Sequence, residues 1–241
     1  MADLMEQFTI KKIIPLDINN YDISLTNSAI CMIITTLFIS SLLLFCLRKR
    51  EIIPSVAQAI PEAIYDFIKG IIGDTLGKNG ERYFSLIFTT FTFIFCGNAL
   101  GLFPYSFTFT SHLGAVGALT LFGMATHIIL GIRKRGLEFF RTFFPKGLPI
   151  ALAPLFIPIE MISMASKYFS LTIRLVINMS VGHIILKILG GFIVAMGAFG
   201  FLPMLASMAI ILFEIFIAFL QAFIYTTLSC VYLSQAVNDE H

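Results

Sequence analysis

The chain has 241 residues, of which 58% are hydrophobic and only 12% are charged. Soluble globular domains carry roughly 25% charged residues, so the composition excludes a soluble protein with a single anchor and predicts a polytopic membrane protein. The formal net charge of +2 does not indicate a nucleic acid partner, because the basic residues fall in loops beside the apolar runs. The four cysteines lie in apolar segments without a metal-binding spacing, so neither a metal nor a cofactor is expected.

Three apolar runs in the first part of the chain are long enough to cross a hydrocarbon core of ~30 Å as helices. They comprise residues 28–47, 83–103 and 114–132. Between the first two runs, residues 52–77 carry several charges, and their apolar side chains recur at helical spacing. This pattern predicts an amphipathic helix that lies on the membrane rather than through it. Its apolar positions are Ile60, Ile64, Phe67, Ile68 and Ile71.

Basic residues cluster at 48–50 and 133–135, directly after the first and third runs, whereas residues 104–113 contain no Lys or Arg. Lys and Arg concentrate in the loops on the cytoplasmic side of a membrane. We therefore expect both basic clusters and the C-terminus to face the cytoplasm or the mitochondrial matrix, and residues 1–26 to lie on the opposite side.

Residues 148–233 are almost continuously apolar, over a length far greater than that of two ordinary spans. As one helix, residues 148–189 would be roughly 60 Å long, about twice the hydrocarbon thickness, and would have to kink or tilt strongly. The residues that follow predict a reversal, after which a second long helix extends to about residue 233. The reversal is predicted from Gly190, Gly191, Gly197, Gly200 and Pro203.

The predicted fold class is thus an all-α polytopic membrane protein with three conventional transmembrane helices, one amphipathic surface helix and a C-terminal hairpin of two long, strongly tilted helices. We expect a single membrane domain over residues 1–241. It would comprise an N-terminal segment (1–26), the transmembrane and amphipathic helices (27–132) and the hairpin (147–235).

Arg174 is the most unusual residue of the hairpin, because it lies within the apolar run Leu-Thr-Ile-Arg-Leu-Val-Ile. A guanidinium stays protonated at physiological pH, and placing one at the centre of a membrane helix costs roughly 2.5–3.5 kcal/mol on insertion scales. Such a charge indicates an ion pathway. At ~100° per residue, further polar side chains share the face of Arg174. They are Glu160, Lys167, Ser170 and Asn178.

His183 lies nine residues after Arg174 and therefore points to the opposite face of the helix. On the second long helix, Glu214 and Gln221 share a face two turns apart. An imidazole that titrates near neutrality and a carboxylic acid on a facing helix are suited to a proton relay away from the arginine. The alternative for these polar groups, Asn178 included, is a structural role in which they only form hydrogen bonds between helices.

The sequence around these residues resembles the subunit a family of F-type ATP synthases. Two stretches carry the resemblance most specifically: Leu-Thr-Ile-Arg-Leu-Val-Ile-Asn-Met-Ser-Val-Gly-His at 171–183 and Leu-Gln-Ala-Phe-Ile-Tyr at 220–225. Gly-Asn-Ala-Leu-Gly-Leu-Phe-Pro-Tyr-Ser at 97–106 and Val-Tyr-Leu at 231–233 agree with it. One departure is the Val-Ile pair before the asparagine, where Phe-Gly is commoner in the family.

The resemblance implies that the chain is the proton-translocating stator subunit in the membrane sector of an F-type ATP synthase. Arg174 would face the ion-binding carboxylate of the rotating c-ring, with Gln221 packed beside it and Asn178 one turn beyond it. The implied partners are the c-ring, peripheral-stalk subunit b and the lipid bilayer, and the implied location is the inner membrane of a bacterium or mitochondrion. The chain would be no enzyme by itself and would have no nucleotide site of its own.

The same resemblance assigns a proton path. Protons would enter a half-channel lined by Asn98, His183 and Glu214, and Glu160 would belong to one access channel. Proton flow would thereby be coupled to rotation and ATP synthesis. A self-contained proton-coupled secondary transporter is the alternative, although the sequence lacks the inverted repeat found in many of that class. A membrane enzyme ranks last, because no HExxH, nucleophile or nucleotide-binding motif is evident.

Overall fold

The computed structural model describes residues 12–14, 17–18, 21–22, 24–46, 48, 55–102, 108–136, 139 and 153–237. In these residues the α-helices are α1 (Asn27–Cys46), α2 (Val56–Leu76), α3 (Phe84–Gly101), α4 (Leu113–Arg135), α5 (Ala153–Met196) and α6 (Phe201–Val237). Short 3-10 helices, Gly77–Tyr83, Phe109–Ser111 and Gly197–Gly200, precede α3, α4 and α6. All of the described α-helices except α2 are long and apolar enough to cross a membrane.

The predicted fold class is confirmed, because the chain is an all-α, multi-pass membrane protein. The spans predicted at residues 28–47, 83–103 and 114–132 correspond to α1, α3 and α4. The amphipathic helix predicted at 52–77 corresponds to α2, but only part of its apolar stripe is buried against the rest of the chain. Ile68 is fully buried against the rest of the chain, whereas Ile60 is 59% exposed.

Four short strands, which the sequence pattern does not predict, precede α1. β1 (Lys12–Ile14) pairs antiparallel with β4 (Leu25–Thr26), and β2 (Asp17–Ile18) pairs antiparallel with β3 (Tyr21–Asp22). The β2–β3 ladder is thus nested along the chain between the two strands of the β1–β4 ladder. Strands of two or three residues leave the all-α class unchanged.

The reversal between α5 and α6 lies at Gly197–Gly200, which confirms two of the five residues from which it was predicted, and Pro203 already lies inside α6. Gly190 and Gly191 remain inside α5, and the helix ends only at Gly197, whose φ of 54° lies in the left-handed region that favours glycine. The prediction of a turn at Gly190 and Gly191 is therefore wrong. The predicted start of this helix, residue 148, lies outside the described residues. As observed, α5 has 44 residues and is about 66 Å long at 1.5 Å per residue.

The described residues fall into two compact units, each with its own core. The first unit draws on Met1–Leu42, Thr92–Val116 and Ile173–Ala222, and the second on Leu43–Phe91, Gly117–Thr172 and Phe223–His241. In the first unit Phe109, Leu175 and Ala222 are buried, and in the second Ile72 and Phe91 are buried. Many large apolar side chains of α1, α5 and α6 stay exposed, which suits helices that face lipid or other membrane subunits.

Candidate functional site

Arg174 lies at the middle of α5, 21 residues after Ala153 and 22 residues before Met196. Its side chain is exposed on the chain. In the part of the chain that the structure describes, no carboxylate lies within ion-pairing distance of its guanidinium. Charged groups inside a membrane normally pair with one another, with backbone carbonyls or with water. The guanidinium is therefore available to a group on another molecule.

Exposed side chains that follow Arg174 form a strip along α5, which we call the arginine strip. After Arg174, the strip consists of Ile177, Val181, Ile185 and Ile188. These four side chains are 38–52% exposed, and intervals of three and four residues place them on one face of the helix. The arginine strip is thus an apolar surface with a single permanent charge at one end.

His183 is buried on the other side of α5, with 8% of its surface exposed. Its Nε2 lies 2.9 Å from Oγ1 of Thr108, and the backbone of Gly101 also hydrogen-bonds the imidazole. The Thr108 hydroxyl donates to the carbonyl oxygen of Gly101 at 3.2 Å. Because a hydroxyl has only one hydrogen to donate, it accepts from His183, and Nε2 therefore carries the ring hydrogen.

Two glycines of α3 allow this contact. Gly97 and Gly101 lie one turn apart at the C-terminal end of the helix. A β-carbon at Gly97 would lie 2.6 Å from the ring of Phe109, and one at Gly101 would lie 2.6 Å from Cγ2 of Thr108. Larger side chains at these two positions would push residues 108–109 away from α3. The absence of side chains at Gly97 and Gly101 thus lets Thr108 come close enough to α3 to contact His183.

We expect Thr108→Val to destabilise the chain by about 0.5–1.5 kcal/mol, because the buried imidazole of His183 would lose its hydroxyl partner and keep only its hydrogen bond to the backbone of Gly101. The measurement is the free energy of unfolding from an SDS titration in mixed micelles. Thr110→Val is the matched control, since this hydroxyl is also buried but has no hydrogen-bond partner among the described residues. An equal loss of unfolding free energy in the two variants would show that the contact between Thr108 and His183 does not contribute to stability.

The carboxylate of Glu214, on α6, lies against Gly182, the residue before His183. It occupies the space in which a side chain at position 182 would begin, so any larger residue there would displace the carboxylate. Glu214 is half-buried and makes no hydrogen bond or ion pair with any other described residue. The structure thus brings the carboxylate to the segment that carries His183, while the pairing of the two side chains stays a prediction.

The amide side chains of the predicted path differ in their burial. Asn98 and Gln221 are 1% and 3% exposed, whereas Asn178 is half-buried one turn beyond Arg174. Oδ1 of Asn98 has no hydrogen-bond donor among the described residues. A buried amide oxygen without a donor is suited to accept from water. The roles of these three residues in proton movement stay predictions.

Glu160 and Lys167 lie on the part of α5 that belongs to the second unit, and both side chains are exposed. Their exposure, together with that of Arg174, agrees with the polar face predicted for this helix. Nζ of Lys167 lies 5.7 Å from the centre of the Tyr232 ring, a distance at which a cation is attracted to the ring face. Among the residues with a described position, no group of three or more His, Cys, Asp or Glu is placed to hold a metal ion.

Known proteins resemble the chain over nearly its whole length. The family model described as ATP synthase A chain matches residues 29–234. The chain belongs to the ATP synthase A chain family. ATP synthase subunit a of Rhodospirillum rubrum is 42% identical over 239 residues, which cover 99% of both chains. The subunits a of Paramagnetospirillum magneticum and Ehrlichia chaffeensis are 42% identical over 245 and 243 residues, again with 99% of both chains covered.

Membership of the ATP synthase A chain family confirms the resemblance seen in the sequence. The chain is accordingly an integral, multi-pass subunit in the membrane sector of an F-type ATP synthase. This assignment also agrees with the exposed apolar surfaces of α1, α5 and α6, which suit a protein surrounded by lipid and other membrane subunits.

Two buried polar contacts between α4 and α5 of this family member are not predicted from the sequence. In the second unit, Oγ1 of Thr120 lies 2.7 Å from Oγ1 of Thr172, and the Tyr168 hydroxyl lies 2.7 Å from Nδ1 of His127. All four side chains are at most 5% exposed. The available signal was His127 itself, because an ionisable residue inside a membrane helix normally has a partner or a function.

We expect Tyr168→Phe to lower the free energy of unfolding by about 1–3 kcal/mol, because Nδ1 of the buried His127 would lose its partner. The other ring nitrogen of His127 has no partner among the described residues that would compensate. The SDS titration described for Thr108 measures the loss. Thr226→Val is the control, since this hydroxyl is fully buried and makes no hydrogen bond to a described residue. A loss no larger than that of the control would contradict the prediction.

Proposed function

We propose that the chain is the proton-translocating stator subunit of its ATP synthase, and that it provides two aqueous half-channels to carboxylates on a rotating c-ring. The position of Arg174 carries this proposal. Its permanent charge is exposed at the middle of a membrane helix, and the described residues offer it no counter-charge. A ring carboxylate that passes the arginine strip would supply that counter-charge only while the two groups are adjacent.

One half-channel follows the buried face of α5. Asn98, His183 and Glu214 all belong to the first unit and provide an amide, an imidazole and a carboxyl group. Groups of this kind hold water and exchange protons with it. A proton that arrives there neutralises a ring carboxylate, and the uncharged carboxylic acid can then move into lipid at far lower cost than the carboxylate.

The second half-channel begins where the ring returns to Arg174. The guanidinium favours the ionised form of the approaching carboxyl group, so the proton leaves. The fixed charge also repels a proton that would otherwise pass directly between the half-channels. Gln221 and Asn178 would hold water and the guanidinium in place, and we assign the exposed Glu160 to one access channel. We further propose that the C-terminus of α6 faces the cytoplasm or matrix and that subunit b is a second partner.

Disulfide cross-linking tests whether the arginine strip faces the ring. The four cysteines of this chain are first replaced by alanine. Ile177→Cys is then combined, in the assembled complex, with a cysteine beside the ion-binding carboxylate of subunit c. Ile177 is 52% exposed on the arginine strip, so we expect oxidation to join the two subunits. Leu175→Cys is the control, because Leu175 is only 4% exposed and lies off this strip.

The cross-linking result separates the proposal from a self-contained transporter. Equal cross-linking at both positions, or cross-linking only from Leu175→Cys, would contradict the proposed orientation of the arginine strip. Purification of the chain without any ring, together with proton transport by the chain alone in liposomes, would favour the transporter.

A further inference from the structure

A cavity of about 610 Å³ lies outside the proton path, where α2 and the following 3-10 helix meet the start of α3. Its walls include the aromatic side chains Tyr65 and Phe84, and Lys69 and Glu81 contribute opposite charges. All of these residues belong to the second unit. A cavity of this size falls in the range that binds small molecules or headgroups.

The two charges of the cavity are not neutralised by each other. Lys69 and Glu81 are both exposed, and neither forms an ion pair with another described residue. Nζ of Lys69 lies 5.9 Å from the centre of the Tyr65 ring, which orients the ammonium group over the aromatic wall. Gly73 and Gly77 add no side chains to the lining, so the space between the charges stays open.

The position of the cavity relative to the membrane follows from α3. By length and composition the segment Gly80–Gly101 can span a membrane, and Glu81 and Phe84 lie within its first two turns. Residues at the end of a helix that spans the hydrocarbon core lie beside the polar layer, which is ~5–8 Å thick on each side, so we infer that the cavity lies at the level of the headgroups. Tyr65 suits this level as well, because tyrosine is enriched at membrane interfaces.

An aromatic face leads from the cavity into the membrane. The ring of Phe84 stacks on that of Phe88, one turn further along α3, with 5.6 Å between their centres. Acyl chains that leave the cavity along this face would remain in the hydrocarbon core. A ligand that fits therefore has a headgroup with two opposite charges and an apolar tail.

We infer that this cavity binds a glycerophospholipid whose headgroup carries a phosphate and a primary ammonium, as in phosphatidylethanolamine. Lys69 binds the phosphate, and Glu81 accepts hydrogen bonds from the ammonium group. An anionic glycerol headgroup leaves Glu81 with no cationic partner and adds like-charge repulsion. A choline headgroup has no N–H to donate, so it forms a weaker contact with the carboxylate.

Lipid competition on the assembled ATP synthase tests this inference. The purified complex is placed in nanodiscs of equimolar dioleoyl phosphatidylethanolamine and dioleoyl phosphatidylglycerol, and the lipids that stay bound are counted by native mass spectrometry. We expect the wild type to retain phosphatidylethanolamine preferentially. Glu81→Gln should lower that preference about tenfold, the order expected for a lost hydrogen bond to a charged group. Lys69→Gln should lower the retention of both lipids by a similar factor.

Asp66→Asn is the matched control, because Asp66 is an exposed carboxylate of α2 that does not line the cavity. It should leave the lipid ratio unchanged. The inference is overturned if the wild type retains both lipids equally or if Glu81→Gln keeps the preference. It is also overturned if the Lys69 and Glu81 variants lose a copurifying protein subunit while their bound lipid is unchanged. Proton pumping is not part of the readout, so the proposed function is tested separately.

Discussion

Arg174→Ala is expected to reduce ATP-driven proton pumping to background, a loss of at least ~100-fold, because alanine neither favours an ionised ring carboxylate nor repels a leaking proton. The assay follows the acidification of inverted membrane vesicles with a fluorescent dye after ATP is added. Arg174→Lys should recover little, since an ammonium group on a flexible stem is more strongly hydrated and can lose its proton when buried.

Lys167→Gln provides the control for Arg174. Lys167 is also an exposed cation on α5, two turns earlier on nearly the same face, and its neutralisation should change pumping less than ~3-fold. Subunit composition after purification shows whether each variant complex has assembled. Coupled pumping by assembled Arg174→Ala complexes would refute the proposed role, as would an equal loss in the Lys167 variant.

Gly182→Ala is expected to impair proton transport about 10- to 100-fold without preventing assembly. The new methyl group would take the space now filled by the carboxylate of Glu214. The atom in conflict is the far end of a flexible side chain, so Glu214 can rotate away and the helices need not separate. Moving a proton-transferring group by about 1 Å can cost ~100-fold in rate. The same vesicle assay measures the effect.

A second substitution and a control make this prediction specific. Glu214→Asp in the Gly182→Ala background shortens the side chain by one methylene and should recover part of the pumping. Gly190→Ala, on the same helix, meets no atom within 4 Å and should leave pumping unchanged. If Gly182→Ala pumps normally, or if the shorter acid brings no recovery, the position of the Glu214 carboxylate does not limit proton transport.

The membrane spans and the two faces of α5 were predictable from the sequence alone. Apolar runs of about twenty residues have few other stable arrangements than a transmembrane helix, because backbone groups in lipid must be satisfied internally. Helical periodicity then separates Arg174 from His183, and the structure indeed exposes the first and buries the second. Local pattern decides such features, since each depends only on neighbours a few residues away.

The same need to pair every backbone group in lipid explains why the helix continues through Gly190 and Gly191. Two adjacent glycines weaken a helix by about 1 kcal/mol each in water. In lipid, however, breaking the helix at Gly190 and Gly191 would leave backbone donors and acceptors unpaired, which costs more. The contact of Thr108 with His183 and that of His127 with Tyr168 join residues 75 and 41 positions apart. No local periodicity reports contacts at such separations, and only the folded arrangement reveals them.

The central position of Arg174 in α5 has an electrical consequence. If a tilted helix crosses the whole insulating layer, its midpoint lies near half of the membrane voltage. The full potential is worth about 2.3 kcal/mol per charge per 100 mV. The voltage drop along each half-channel would therefore be worth about 1.15 kcal/mol per charge for each 100 mV across the membrane. Proton uptake and proton release would then share the driving voltage evenly. Neither step alone would set the voltage dependence of rotation.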